Sequence, residues 1–165
     1  MAVGNIKGWF SKNVEHTDIL SMKGICYVER SGIAYTLKAS DILNPGDIVT
    51  VTNGGSVAVG SEDMEITVSD NSILKINDIQ DGKLSLSVLQ GEVFIKGKAD
   101  KVKEIVLSDS TILMDDGVLL ISSQTGSATA YSLLGNHKLT RNEKSESFDA
   151  GEYVLLLEKE TDKEN

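Results

Sequence analysis

Two histidines, one cysteine and two pairs of neighbouring carboxylates are the side chains from which chemistry would have to be built in this sequence. A transition-metal centre needs several imidazoles or carboxylates converging on one ion. His16 and His137 lie far apart and no His-x-His occurs, so both read as surface or loop residues. Cys26 sits in the run Gly24-Ile25-Cys26-Tyr27-Val28 and reads as a buried, inert thiol. Being alone, it makes neither an internal disulfide nor a Cys-based zinc site. Glu62-Asp63 and Asp115-Asp116 are adjacent residues. A glycosidase needs its two carboxyls held across a sugar-sized gap, and a calcium loop needs spaced oxygens. Both pairs therefore read as solvated turns. Gly-x-Ser-x-Gly is absent. Asn53-Gly54-Gly55 is not followed by the Gly-Lys-[Ser/Thr] of a phosphate-binding loop. The expectation is a non-enzymatic chain with no catalytic residue, no cofactor and no metal.

Charge narrows the partners. The 25 acidic against 16 basic residues give a net charge of -9, which argues against non-specific binding to nucleic acid or an anionic membrane. Lys96, Lys98, Lys101 and Lys103 are close in sequence, but Asp100 and Glu104 interrupt and flank them, so they read as a solvated turn. The aromatics are sparse, and no Lys/Arg run interleaves with them as a single-strand-binding groove would need. No run of about 18 apolar residues occurs, so no membrane-spanning segment is expected. The start lacks the pattern of a secretory signal. The compartment is expected to be the periplasm or cell envelope if the chain is a mature or excised domain, and the cytoplasm if Met1 is its native start.

The elements that would position any site are strands. Apolar residues make up 40% of the chain and aromatics only 5%, so a core must rest on Val, Ile and Leu, which favour sheet. From Gly24 the pattern has period two. A hairpin is expected around Ser31-Gly32, a turn at Asn44-Pro45-Gly46-Asp47, strands at 48–51 and 56–60, and a cleanly alternating strand at Met64, Ile66 and Val68. Residues 84–96 read as a second hairpin, with Gln90-Gly91 as its turn. That places Val88 opposite Val93 and Leu86 opposite Ile95, with Leu89 and Phe94 on the far side under a second layer or a loop. Further strands are expected near 103–107, 111–114, 118–121, 125–134 and 138–140. A polar loop follows at 141–149, and a final strand at 152–158. The fold class is all-β: a single β-sandwich or rolled β domain of short antiparallel strands over 24–158. It is preceded by a poorly regular segment, 1–23, and followed by a frayed charged tail, 159–165. Trp9, Phe10 and Val14 could share one face of a short helix. The consecutive Val154, Leu155, Leu156 and Leu157 imply cover on both faces of the last strand, which Trp9 and Phe10 can supply. The turn-defining residues are Gly46, Asp47, Gly54, Gly91, Gly117 and Gly151. The expected interaction surface is Trp9, Phe10 and Phe94.

The run from Gly32 to Gly91 resembles the bacterial FecR-like domain. The matching pieces are Asn44-Pro45-Gly46-Asp47-Ile48-Val49, Asn53-Gly54-Gly55-Ser56-Val57, Asn71-Ser72-Ile73-Leu74 and Leu89-Gln90-Gly91-Glu92-Val93. A related pattern occurs at the N-terminus of very large secreted adhesins, as a module that holds them in the envelope. The resemblance implies a non-enzymatic β-rich domain for protein interaction or scaffolding in envelope signalling or surface assembly. The expected partner is a protein, or a further copy of the chain. Two rival readings stand beside it. One is a small structural subunit of a virion or secretion apparatus. The other is a ligand- or carbohydrate-binding β module, against which the low aromatic content argues.

Overall fold

The computed structural model describes residues 15–157. Trp9 and Phe10, the short helix expected around them and the tail 159–165 lie outside the described residues. The described chain is sixteen strands and no helix, the all-β class its alternation required. One sheet holds β1 (Thr17–Lys23), β4 (Ile42–Leu43), β6 (Ser56–Ser61), β7 (Met64–Val68), β12 (Gly117–Gln124), β13 (Ser127–Leu134) and β16 (Tyr153–Leu157). The other holds β2 (Cys26–Arg30), β3 (Ile33–Thr36), β5 (Ile48–Val51), β8 (Ser72–Gln80), β10 (Val102–Leu107), β11 (Ser110–Leu113), β14 (His137–Arg141) and β15 (Lys144–Phe148). β9 (Lys83–Gly97) belongs to both.

The first sheet runs β4-β1-β6-β7-β9-β12-β13-β16, antiparallel throughout. The second runs β3-β2-β5-β8-β9-β10-β11-β14-β15 and is antiparallel except where β10 lies parallel to β9. Inward side chains of both sheets join one hydrophobic cluster. Met64, Ile66 and Val68 all point into it, as their spacing demands. Full burial of each Val, Leu or Ile contributes about 1.5–3 kcal/mol.

The expected hairpin at 84–96 is not formed. β9 is continuous through Gln90-Gly91, so Val88 does not face Val93 and Leu86 does not face Ile95. Leu86 pairs with Ile76 and Ile105, and Val88 with Leu74. Val93 lies between Val68 and Ile121, and Ile95 between Ile66 and Leu119. The inward phase shifts between Val88 and Val93. A turn would absorb that shift, and so does a bend. Gly91 has φ +86°, and a Cβ there would lie 2.1 Å from Ser72 Oγ. Ser72 Oγ accepts a hydrogen bond from the Glu92 N–H at 2.9 Å and donates one to the Asp70 carbonyl at 3.1 Å. Gly91 is therefore the corner where one strand leaves the second sheet and enters the first.

Two further segments are more regular than their sequences suggest. Thr17–Lys23 is a strand, although it falls within the segment expected to be irregular. A register shift between Ile19 and Ser21 breaks its alternation, so Ile19 and Met22 both reach the core from odd spacing. Lys144–Phe148 is an edge strand where a polar loop was expected. Asn142 and Glu143 both take positive φ, 53° and 66°, and make the two-residue turn that returns the chain onto β14.

The remaining turn residues sit at chain reversals. Gly46 and Asp47 lead into β5, Gly54 separates β5 from β6, and Gly151 precedes β16. Asp47 is more than a turn former. It is 1% exposed and accepts from Arg30 Nε at 2.9 Å, Arg30 Nη2 at 2.7 Å and the Asn44 N–H at 2.8 Å. Gly117 opens β12 in close approach, since a Cβ would fall 2.1 Å from the Leu134 carbonyl oxygen.

Candidate interaction face

The reactive side chains do not converge. Cys26 is fully buried, and burial pushes its thiol pKa up. His16 lies near the surface, 3.6 Å from Asp18. Glu62, Asp63, Asp115 and Asp116 are exposed in or beside turns. Among the described residues no three His, Cys, Asp or Glu side chains are grouped to hold an ion. His137 corrects the expectation of a surface histidine, being 1% exposed. Its Nδ1 accepts the Asp115 N–H at 3.1 Å, its Nε2 lies 3.0 Å from the Leu134 carbonyl oxygen, and its ring packs on Phe148. Nε2 therefore carries the proton. Burial lowers the imidazole pKa, against smaller opposing effects of the Leu134 carbonyl and Asp115. The ring ties three segments together as a neutral structural group.

What the fold does bring together is an apolar face. Residues directly opposite one another on neighbouring strands share a side of the sheet. The register of the first sheet aligns Tyr153, Tyr131, Leu120, Phe94 and Thr67 in one outward row. The Tyr131 and Tyr153 rings meet at 5.3 Å. Leu133 continues outward along β13, and Leu155 and Leu157 along β16. Tyr153, Leu155 and Leu157 are 60%, 56% and 59% exposed. Phe94 therefore lies in an exposed apolar patch, and no second layer covers it or Leu89 among the described residues. The same holds for β16, where Leu156 is buried and Val154 partly so. The consecutive apolar run marks an edge strand with one buried face and one bare one.

The second sheet is different. Its row at the corresponding level reads Ser145, Thr140, Thr111, Val106, Ser87 and Lys75. Within it Thr140 bonds to Ser145 at 2.9 Å and Ser87 to Asn77 at 2.8 Å. Its edge strand β15 carries Lys144 and Glu146, charges that discourage further pairing. β16, the edge of the first sheet, carries none within 153–157. Exposed apolar area on a monomer is normally scattered or confined to a few hundred Å². Seven half-exposed large side chains (Phe94, Tyr131, Leu133, Leu134, Tyr153, Leu155, Leu157) contribute roughly 700 Å², near the ~800 Å² that each partner gives to a standard interface.

A groove of about 360 Å³ opens at the end of this face, between the Glu62-Asp63 turn and the start of β12. Met64, Val118 and Leu134 supply its apolar lining, and Glu62, Asp63, Glu65 and Asp116 its acidic rim, opposed by Lys96 and Lys98.

Of the residues expected to make contacts, Phe94 is placed on this face, and Trp9 and Phe10 lie outside the described residues. Tyr131, Leu133, Tyr153, Leu155 and Leu157 were not singled out as surface residues by sequence. Only their strand phase reveals their direction, and in Tyr153-Val-Leu-Leu-Leu157 a continuous apolar run hides that phase.

No protein-family model matches the chain, and no curated protein does. Two crystal structures of a candidate anti-sigma factor from Parabacteroides distasonis ATCC 8503 are similar in fold. Each has a TM-score of 0.57, with 10% and 9% sequence identity over 67% of this chain. The chain spans 54% of the length of those structures. At such identity the likeness speaks for the fold alone.

Proposed function

We propose that this chain is a non-enzymatic protein-interaction domain that docks a protein partner on the outer face of its first sheet. The observation that carries this reading is the asymmetry of the two outer faces. One presents Tyr153, Tyr131, Leu120 and Phe94 in a continuous row, whereas the corresponding row of the other is Ser145, Thr140, Thr111, Val106, Ser87 and Lys75, with exposed apolar side chains such as Tyr27 and Leu113 lying outside that row. Apolar, aromatic-rich patches of this size are where protein partners bind. The fold shared with a candidate anti-sigma factor supports a regulatory setting, and the FecR-like pieces whose turns are formed, Asn44-Pro45-Gly46-Asp47 and Asn53-Gly54-Gly55, support the bacterial envelope as its place. A carbohydrate platform is less well served, because the exposed Tyr131 and Tyr153 rings are tilted by 37° and offer no flat shared surface.

A photo-crosslinking amino acid placed at Phe94, Tyr131 or Leu155 in cells of the source organism tests the proposal. The same probe at Thr111 and Thr140 on the second sheet is the control. A discrete adduct from the first three positions and none from the controls is the expected result. Equal labelling from both faces, or no adduct from the first, would overturn the reading.

A further inference from the structure

The acid-rimmed groove and the apolar face beside it are open among the described residues, and the chain itself holds a segment of matching chemistry. Residues 1–14 carry Lys7 and Lys12 and no acidic side chain, in a chain whose net charge is -9. Between those lysines stand Trp9 and Phe10, and Trp9 is the sole tryptophan. The point from which this segment departs is fixed. The Glu15 carboxylate accepts the Asp81 and Gly82 N–H groups at 2.9 and 3.0 Å, and Thr17 begins β1 two residues later.

Asp18 of β1 is level with Gly60, Glu65, Lys96 and Val118 across four successive neighbours in the sheet. The groove spans β7 to β12, two to four strand spacings from β1, or roughly 10–19 Å at ~4.8 Å per spacing. Trp9 is six residues before Glu15 and reaches about 20 Å in extended chain.

We propose that residues 1–14 fold back on their own body and seat Trp9 in the groove lined by Met64, Val118 and Leu134, with Lys7 and Lys12 against its carboxylates. Phe10 then lies toward the Leu133-Leu134 end of the apolar face. A seated segment would compete with the partner for that end. This regulatory role rests on the docking reading above, whereas the seating does not.

Trp9 reports on its own position. In the full chain its emission should be blue-shifted, with acrylamide quenching about threefold weaker than for N-acetyltryptophanamide, as for a shielded indole. Leu134→Asp, at an exposed position, and the double charge reversal Lys7→Glu/Lys12→Glu should each raise quenching by about twofold or more, with the far-UV circular dichroism unchanged. Native Trp9 quenched like the free compound would overturn the proposal. So would shielding that neither variant changes, which would put the seat elsewhere. Shielding lost on about hundredfold dilution would assign the segment to a second copy and overturn the intramolecular form. Failure to crosslink a partner at Phe94, with Trp9 still shielded, would sink the docking reading and leave this one standing.

Discussion

Replacing Gly91 with alanine should be among the most damaging single-methyl changes in the chain, and the reason is geometric. The added Cβ would meet Ser72 Oγ at 2.1 Å, Ser72 Cβ at 2.6 Å and Ser72 Cα at 2.7 Å, so the conflict reaches the backbone of β8. Holding a non-glycine residue at φ +86° adds about 1–2 kcal/mol, and overpacking of this kind adds about 1–3 kcal/mol. The expected loss is therefore about 2–5 kcal/mol, a large fraction of typical domain stability. Gly46 is the matched control. Its φ is +93°, and a methyl added there would meet nothing within 4 Å, so Gly46→Ala should lose only the backbone share. Urea unfolding of the two variants, followed by circular dichroism, gives both numbers. If Gly91→Ala costs no more than Gly46→Ala, Gly91 is an ordinary turn glycine and the corner assigned to β9 is wrong.

Three further outcomes follow from named contacts. Burial holds the His137 pKa below its ordinary 6.5, so the unfolded chain takes up the proton first. The stability this residue contributes is present in full above about pH 6.5 and is lost as pH falls through the folded-state pKa, at up to ~1.4 kcal/mol per pH unit. Melting curves of the parent and His137→Gln across that range should converge as the pH falls, and parallel curves would exclude His137 as the source. Arg30→Met leaves the Asp47 carboxylate buried with one remaining N–H donor, the Asn44 amide, and should lower stability by about 1–3 kcal/mol. An unchanged urea midpoint would show that the ion pair adds nothing. Leu155→Lys alters a side chain that is 56% exposed and should change stability by no more than about 0.5 kcal/mol while reducing binding of a hydrophobic dye. A large drop in melting temperature would mean the face is covered.

Much of the fold was legible because a half-buried strand writes its direction into the sequence. Met64-Glu-Ile-Thr-Val68 alternates and lies as it reads. The failures at Gly91 and His137 share a cause: a deciding interaction came from a distant segment. Nothing near Gln90-Gly91 distinguishes a turn from a bend, and Ser72 makes the difference. His137 follows a loop-forming Gly135-Asn136, yet both ring nitrogens meet backbone groups of other elements. Lys144–Phe148 is polar because it is an edge, and strand position within a sheet is a tertiary fact. Of the candidate surface, Phe94 was readable from its phase. The tyrosines and leucines around it needed the register of three strands at once.

The passage of β9 through both sheets has a consequence for how the chain could be divided. The Lys98–Lys101 turn, closed by a 2.9 Å bond from the Lys101 N–H to the Lys98 carbonyl, is the natural place to nick it. A cut there would not release two independent halves. The N-terminal piece would keep β9 with both of its later flanks bare: Leu84 to Ser87, where β10 seats, and Gly91 to Gly97, where β12 seats. The C-terminal piece would hold β10 and β12 without the strand that aligns them. The two pieces are obligate complements, so a nicked chain should remain one particle, and the separated fragments should recover their fold only when mixed.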